Sequence, residues 1–157
     1  MAHPSALCTF ALIVGPKGDN APVSAQLLRS MVAVPASVPV LRSDIAAFAR
    51  KAGVAEPLLS SVKLAVSEAV TNAVLHAYVG RRTGQVRVAA RIEHGCLTVE
   101  VSDDGSGMMP RLDSPGLGVG LPFIADTADA LDISSSPRGG AQLTMTFELR
   151  QAARRFA

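Results

Sequence analysis

The chain has 157 residues, of which 48% are hydrophobic and 18% are charged. This composition predicts one packed globular domain, because disordered chains contain few apolar residues and two ordinary domains need more length. No uninterrupted apolar run approaches the roughly 20 residues that cross a bilayer, so we expect no membrane association and a cytoplasmic protein.

The net charge of +2 comes largely from the end of the chain. Arg150, Arg154 and Arg155 lie in the last eight residues, and the rest of the chain holds 12 basic against 13 acidic residues. A nearly neutral body gives little reason to expect direct nucleic-acid binding. We interpret residues 150–157 as a basic C-terminal tail, and residues 1–25, which show no sustained periodicity, as a loosely ordered N-terminal arm.

The two cysteines, Cys8 and Cys96, lie far apart in the sequence and have no companions at metal-ligand spacing. The pattern therefore predicts no cysteine metal centre. We expect reduced thiols, with a single disulfide as the alternative.

Hydrophobic periodicity predicts one domain over residues 26–149. Its first half is predicted to hold a strand over 26–34, a helix ended by Gly53, and a second helix over 56–78. Ser37 is interpreted as the N-cap of the first helix, with Pro39 in its first turn.

The second half of this domain is predicted to be mostly strand. His94-Gly95 marks a hairpin between two alternating segments, and a helix precedes the last two strands. The predicted ranges are strands 85–91 and 96–102, helix 121–131, and strands 131–134 and 142–149. This order predicts an α+β two-layer sandwich, with helices on one face of a mixed, mostly antiparallel sheet.

The second predicted helix carries three polar side chains on one face. Glu68, Asn72 and His76 are spaced at i, i+4 and i+8, and an apolar stripe lies opposite them. The stripe consists of Leu59, Val62, Val66, Ala69, Ala73 and Ala77. A carboxylate can accept a proton, and a carboxamide oxygen suits Mg²⁺, so the face is consistent with a nucleotide and metal site. The alternative is an ordinary solvated helix face, with His76 in a capping or packing role.

Two glycine-containing loops follow. Asp103-Asp104-Gly105-Ser106-Gly107 leaves a predicted strand, where a fixed carboxylate could accept the exocyclic amine of adenine. An ordinary aspartate-glycine turn is the alternative. The second loop carries alternate glycines ahead of a helix, which exposes backbone N–H groups suited to phosphate. Those glycines are Gly116, Gly118 and Gly120. A flexible lid, or merely a loop, is the alternative.

These motifs occur in the order Glu-x3-Asn-x3-His, Asp-x-Gly-x-Gly, Gly-x-Gly-x-Gly and a final glycine turn. The series resembles the N, G1, G2 and G3 boxes of the ATPase superfamily of gyrase, heat-shock chaperone, histidine kinase and MutL, whose fold is the Bergerat sandwich. More narrowly, the stretch Leu64–Tyr78 is similar to the anti-sigma-factor serine kinases of the RsbW and SpoIIAB type. The resemblance covers about residues 28–149.

The resemblance implies ATP and Mg²⁺ as cofactors and assigns a role to each motif. Asn72 would coordinate Mg²⁺ that bridges the phosphates, and Glu68 would be the general base toward a serine or threonine of a protein substrate. Asp103 would bind the adenine amine, supported by Gly105 and Gly107. The three glycines at 116, 118 and 120 would form the phosphate lid. His76 is a further nucleotide-site candidate.

Two positions depart from the family pattern. The lid commonly carries an arginine before its glycines, where this chain has Asp113-Ser114-Pro115, although Arg111 is a possible substitute. The last turn usually carries a hydroxyl residue after glycine, where this chain has Gly140-Ala141. Phosphoryl transfer depends strongly on cationic stabilisation, so the missing arginine affects catalysis. The missing hydroxyl removes a polar contact near the adenine, and we expect ATP binding to survive both changes more easily than fast catalysis does.

Two functional hypotheses follow from the resemblance. In the first, the protein binds Mg·ATP, phosphorylates an anti-sigma-factor antagonist, and sequesters a sigma factor in transcription regulation of the stress-response kind. In the second, it is a non-catalytic partner-switching module in which nucleotide sets the conformation. The resemblance also suggests a homodimer.

Overall fold

The structure, a computed structural model, describes residues 25–106 and 120–149, and the elements within these ranges follow the predicted order. They are β1 (Gln26–Val32), α1 (Ser37–Lys51), α2 (Leu58–His76), β2 (Gln85–Glu93), β3 (Cys96–Asp103), α3 (Gly120–Thr127), β4 (Ala130–Ser135) and β5 (Ala141–Glu148). The predicted arm before residue 25, the basic tail, Arg111 and the glycines at 107, 116 and 118 lie outside the described residues.

The five strands form one sheet in the order β1-β2-β3-β5-β4. The helices pack on one face of the sheet, so the predicted two-layer α+β sandwich is confirmed. All four pairings between these strands are antiparallel, whereas the sequence predicted a mixed sheet. The hairpin between β2 and β3 turns at His94 and Gly95, which both have positive φ, at 52° and 78°. Positive φ at both central residues is the requirement of the tight turns that join twisted antiparallel strands.

The core lies between the sheet and the apolar stripe of α2. Alternate residues of β3 and β5 point at the helices and are at most 1% exposed: Leu97, Val99, Val101, Leu143, Met145 and Phe147. All six predicted stripe residues are buried, and five of them belong to one hydrophobic cluster with these strand residues, whereas Ala77 is the residue directly after α2. Because the stripe must face the sheet, the opposite side of α2 is turned away from it.

Helix α2 is the one helix in the described ranges that is long and apolar enough to cross a membrane. Half of its apolar window is buried inside the protein. Since that half packs on the sheet, α2 is the core helix of this domain.

Two local predictions are corrected by the structure. Ser37 is the first residue of α1 and not its N-cap, which is Ala36, because the Ser37 hydroxyl donates to the Val32 carbonyl oxygen at 2.6 Å. That bond ties the start of α1 to the end of β1. Cys96, for which a reduced thiol was expected, is disulfide-bonded, and its partner lies outside the described ranges.

We expect Leu97→Ala to lower the free energy of unfolding by about 2–5 kcal/mol, because Leu97 is fully buried on a central strand and truncation leaves a cavity. Leu28→Ala is the matched control, since Leu28 lies on edge strand β1 and is 68% exposed. The control should stay within about 0.5 kcal/mol of the parent in urea unfolding. Equal losses in both variants would contradict this core assignment.

Candidate nucleotide-binding site

The polar face of α2 is half-buried along its length. Glu68, Asn72 and His76 are all partly exposed, on the side of α2 away from the buried stripe. No hydrogen bond or ion pair engages the Glu68 carboxylate or the Asn72 amide within residues 25–106 and 120–149.

Helix α3 begins directly against this face. A Cβ atom on Gly120 would lie 2.9 Å from Glu68 Oε2 and 3.4 Å from Asn72 Nδ2. Gly120, the last glycine of the predicted lid, thus brings the N-terminal end of α3 next to Glu68, the predicted general base, and Asn72, the predicted metal ligand. The N-terminal end of a helix favours anions, because its first N–H groups have no partner within the helix.

Asp103 lies at the end of β3 and is only 3% exposed. Its Oδ1 accepts from the Gly105 N–H at 2.9 Å, and its Oδ2 accepts from the Ala141 N–H at 3.3 Å. A Cβ atom on Gly140 would overlap Asp103 Oδ1, so the turn before β5 can close over the carboxylate only with glycine there. These two N–H groups fix the orientation of the carboxylate at the end of β3.

Asp104, the residue after Asp103, is hydrogen-bonded to the start of β2. Asp104 Oδ1 accepts from the Gln85 N–H at 2.8 Å and lies 2.7 Å from the Tyr78 hydroxyl. The Tyr78 hydroxyl and then the Gln85 N–H hold the pKa of the Asp104 carboxyl below its ordinary value. Burial, followed by the hydrogen bond to Asp104, raises the pKa of Tyr78 above its usual range. At neutral pH the hydroxyl is therefore a donor and the carboxylate an acceptor.

The turn after β3 also packs on the C-terminal end of α2. The Ala77 carbonyl oxygen accepts from both the N–H and the hydroxyl of Ser106, at 2.7 and 3.1 Å. A Cβ atom on Gly105 would overlap this oxygen. Asn72 precedes Ala77 by five residues, about 7.5 Å along a helix axis. The side chain of Asp103 points to the helix side of the sheet, which is the side on which α2 packs.

A family model described as a histidine kinase-like ATPase domain matches residues 31–147. The chain belongs to this family. It is an anti-sigma factor family member, which confirms the resemblance found in the sequence.

Several curated relatives are similar to it over most of their length. The anti-sigma F factor of Caldanaerobacter subterraneus subsp. tengcongensis is 34% identical over 116 residues, which cover 67% of this chain and 80% of the relative. The anti-sigma F factor of Bacillus licheniformis is 29% identical over 123 residues, or 71% of this chain and 84% of the relative.

A solved structure shows the same fold. The crystal structure of the RsbU and RsbW domains of Rv1364c from Mycobacterium tuberculosis matches with a TM-score of 0.63 and 21% identity. The match covers 79% of this chain and 32% of that chain, so this protein spans about a third of the solved one.

A magnesium ion at an ATPase-family site fits the residues that the structure describes. No group of three or more histidine, cysteine, aspartate or glutamate side chains is placed to hold a metal in the described part of the chain. Mg²⁺ usually takes one or two protein ligands and completes its octahedron with phosphate oxygens and waters. An amide oxygen at Asn72 beside the Glu68 carboxylate meets that requirement.

Sequence reasoning missed the residues that position the Asp103 turn. The Ala141 N–H donates to Asp103 itself. Asp104, the next residue, accepts from Tyr78 and lies against Gly84. Tyr78 is the only tyrosine of the chain and ends the quoted helix motif, which was the available signal. Its partner is 26 residues away, so helical spacing could not reveal the contact.

We expect Gly105→Ala to cost about 1–3 kcal/mol of unfolding free energy, because the new Cβ atom meets backbone at Ala77 that cannot rotate away. Gly120→Ala is the matched control. Its Cβ atom meets the far end of the flexible Glu68 side chain, and alanine favours a helix, so stability should stay within about 1 kcal/mol of the parent. Urea unfolding compares the two, and a larger loss in Gly120→Ala would refute this packing.

Proposed function

We propose that this protein binds Mg·ATP in the cleft beside α2 and acts as a serine/threonine kinase toward an anti-sigma-factor antagonist protein. The observation that carries the proposal is the contact of Gly120 with Glu68 and Asn72, because it joins a phosphate-binding helix end to a carboxylate and an amide. Family membership supports ATP as the nucleotide.

Adenine recognition is assigned to Asp103. The buried carboxylate is oriented by two backbone N–H groups, so it is ready to accept a hydrogen bond from the exocyclic amine. A site built around such an acceptor discriminates against bases that carry an acceptor in place of the amine, since two acceptors would then face each other. Gly105 and Gly107 support the turn that presents it.

The triphosphate is assigned to the start of α3 and the lid glycines. Asn72 would hold Mg²⁺, which supplies positive charge to the phosphate oxygens when bound. The N–H of Gly120, at the start of α3, is assigned to the same phosphates, with Gly116 and Gly118 as further proposed lid donors. His76, one turn beyond Asn72 on the same face, borders the site and is proposed to contact the nucleotide.

Glu68 is the proposed general base. Its carboxylate has no partner among the described residues and stands at the helix end where the γ-phosphate would lie. The substrate hydroxyl oxygen attacks the γ-phosphorus, its proton passes to Glu68, and the bond to the β-phosphate oxygen breaks to release ADP.

A non-catalytic partner-switching role is the second candidate. The stretch Asp113-Ser114-Pro115 lacks the arginine that the family resemblance leads us to expect before the lid glycines. Because phosphoryl transfer relies on cationic stabilisation, this departure favours nucleotide binding without fast transfer.

The partners are proposed from the relatives. Proteins similar to this chain are named anti-sigma F factors, so a sigma factor is the proposed target, with an antagonist protein as its competitor. We propose a cytoplasmic homodimer that contacts neither membrane nor nucleic acid directly.

Asp103→Ala should weaken Mg·ATP binding by about 1–3 kcal/mol, roughly 5- to 150-fold in Kd, because the adenine amine loses its acceptor. Titration calorimetry measures the affinity. Asp132→Ala is the control, since Asp132 is an exposed aspartate on edge strand β4 and should leave the Kd unchanged. Unchanged affinity in Asp103→Ala would reject the adenine assignment.

Glu68→Gln should keep the ATP affinity and lower phosphate transfer by about 10²- to 10⁴-fold, because the amide cannot take the proton. Transfer of labelled γ-phosphate to candidate antagonist proteins measures this. Glu93→Gln, at an exposed position ending β2, is the matched control and should label like the parent. Equal labelling by Glu68→Gln would refute the base role, and no labelling by the parent would support the partner-switching role.

A further inference from the structure

We propose that Tyr78 is a positioning residue for adenine recognition. Its hydroxyl acts through Asp104 to keep the Asp103 carboxylate oriented toward the adenine amine. The inference rests on the proposed function, because it assumes that Asp103 receives the adenine amine. It adds a selectivity role for a residue that does not itself touch the nucleotide.

The Tyr78 hydroxyl is the centre of a small network. It lies 2.7 Å from both Asp104 Oδ1 and the Gln85 carbonyl oxygen, and it is 3.3 Å from the Asp104 N–H. The Gln85 N–H donates to the same Asp104 oxygen at 2.8 Å. Asp104, the first residue of the turn after β3, is therefore hydrogen-bonded both to Tyr78 beyond the end of α2 and to Gln85 at the start of β2.

This network fixes the atom that orients Asp103. The Gly105 N–H, which donates to Asp103 Oδ1, belongs to the peptide unit between Asp104 and Gly105. A tilt of Asp104 would therefore rotate this N–H away from Oδ1. The Gly105 N–H and the Ala141 N–H each orient one oxygen of the Asp103 carboxylate, so a rotation of the Asp104–Gly105 peptide would change the orientation of Oδ1.

A second anchor makes the effect of Tyr78 separable from folding. Ser106 is held by the Ala77 carbonyl oxygen through two hydrogen bonds, independently of Tyr78. The tyrosine ring also packs closely, because Tyr78 Cε1 lies 2.6 Å from the Cβ position of Gly84 and 3.0 Å from that of Gly105. Phenylalanine preserves the ring and the Ser106 anchor while removing only the hydroxyl.

The protonation states support the arrangement. Burial raises the pKa of the Tyr78 hydroxyl, and the bond from that hydroxyl lowers the pKa of the Asp104 carboxyl. The pair therefore remains a neutral donor beside a charged acceptor throughout the neutral range. Hydrogen bonds to a charged acceptor are among the stronger ones in proteins.

The test compares ATP with inosine triphosphate, which carries a carbonyl oxygen where adenine carries its amine. We expect the parent to bind ATP more tightly than inosine triphosphate in titration calorimetry. Tyr78→Phe should reduce that preference about 5-fold or more, the equivalent of one lost hydrogen bond, with the inosine triphosphate affinity within about 2-fold of the parent. A merely structural role would weaken both nucleotides alike.

Each outcome decides a different point. A parent without preference for ATP would overturn the adenine assignment of the proposed function. A parent with that preference, retained in Tyr78→Phe, would overturn the positioning role, and so would an equal loss of both nucleotides.

Asp104→Asn provides a second variant that does not depend on the folding of Tyr78→Phe. Asparagine keeps the size of the side chain and loses the charge, so the ATP preference should fall in the same direction. The double variant should lose no more than the stronger single variant, because Tyr78 acts through Asp104. Additive losses, or an unchanged preference in Asp104→Asn, would overturn the inference.

Discussion

The structure depends on burial of one face of α2 against the sheet. A helix with small apolar residues along one stripe lies close to the strands, and its opposite face must then carry whatever the domain presents to a ligand. In this chain that face carries a carboxylate, an amide and an imidazole. The same packing that stabilises the domain therefore orients Glu68 and Asn72 toward the start of α3.

The two groups of proposed site residues are connected at the end of α2. The amide and carboxylate lie on the helix, whereas Asp103 lies on the sheet, and their relative position would be loose if only the core connected them. Ala77 and Tyr78 contact the turn after β3 directly, one through a carbonyl oxygen and the other through a hydroxyl. The spacing between the residues proposed to bind the base and those proposed to bind the phosphates is thus set by short polar contacts and not by side-chain packing alone.

Much of the fold and the shared polar face of α2 could be predicted from the sequence, because both depend on local residue patterns. Period-two and period-3.6 patterns predicted every element in its order, and the spacing of Glu68, Asn72 and His76 predicted a shared face. Ser37 was misassigned because a serine before a helix can bond to the preceding strand as well as cap the helix, and local sequence does not decide between them. Tyr78 and Asp104 were missed because their contact is set by how β2 and β3 pair, which no local pattern reports.

The close approach of Gly105 to the Ala77 carbonyl oxygen links two distant positions of the chain. There is no room for even a methyl group between them, so the length of α2 and the identity of residue 105 are not independent choices. A sequence of this fold that carries a side chain at that point would have to end its helix earlier or move its first glycine turn outward. Either change would loosen the packing of the turn after β3 on the end of α2, so this pair of residues limits how closely helix and turn can approach each other.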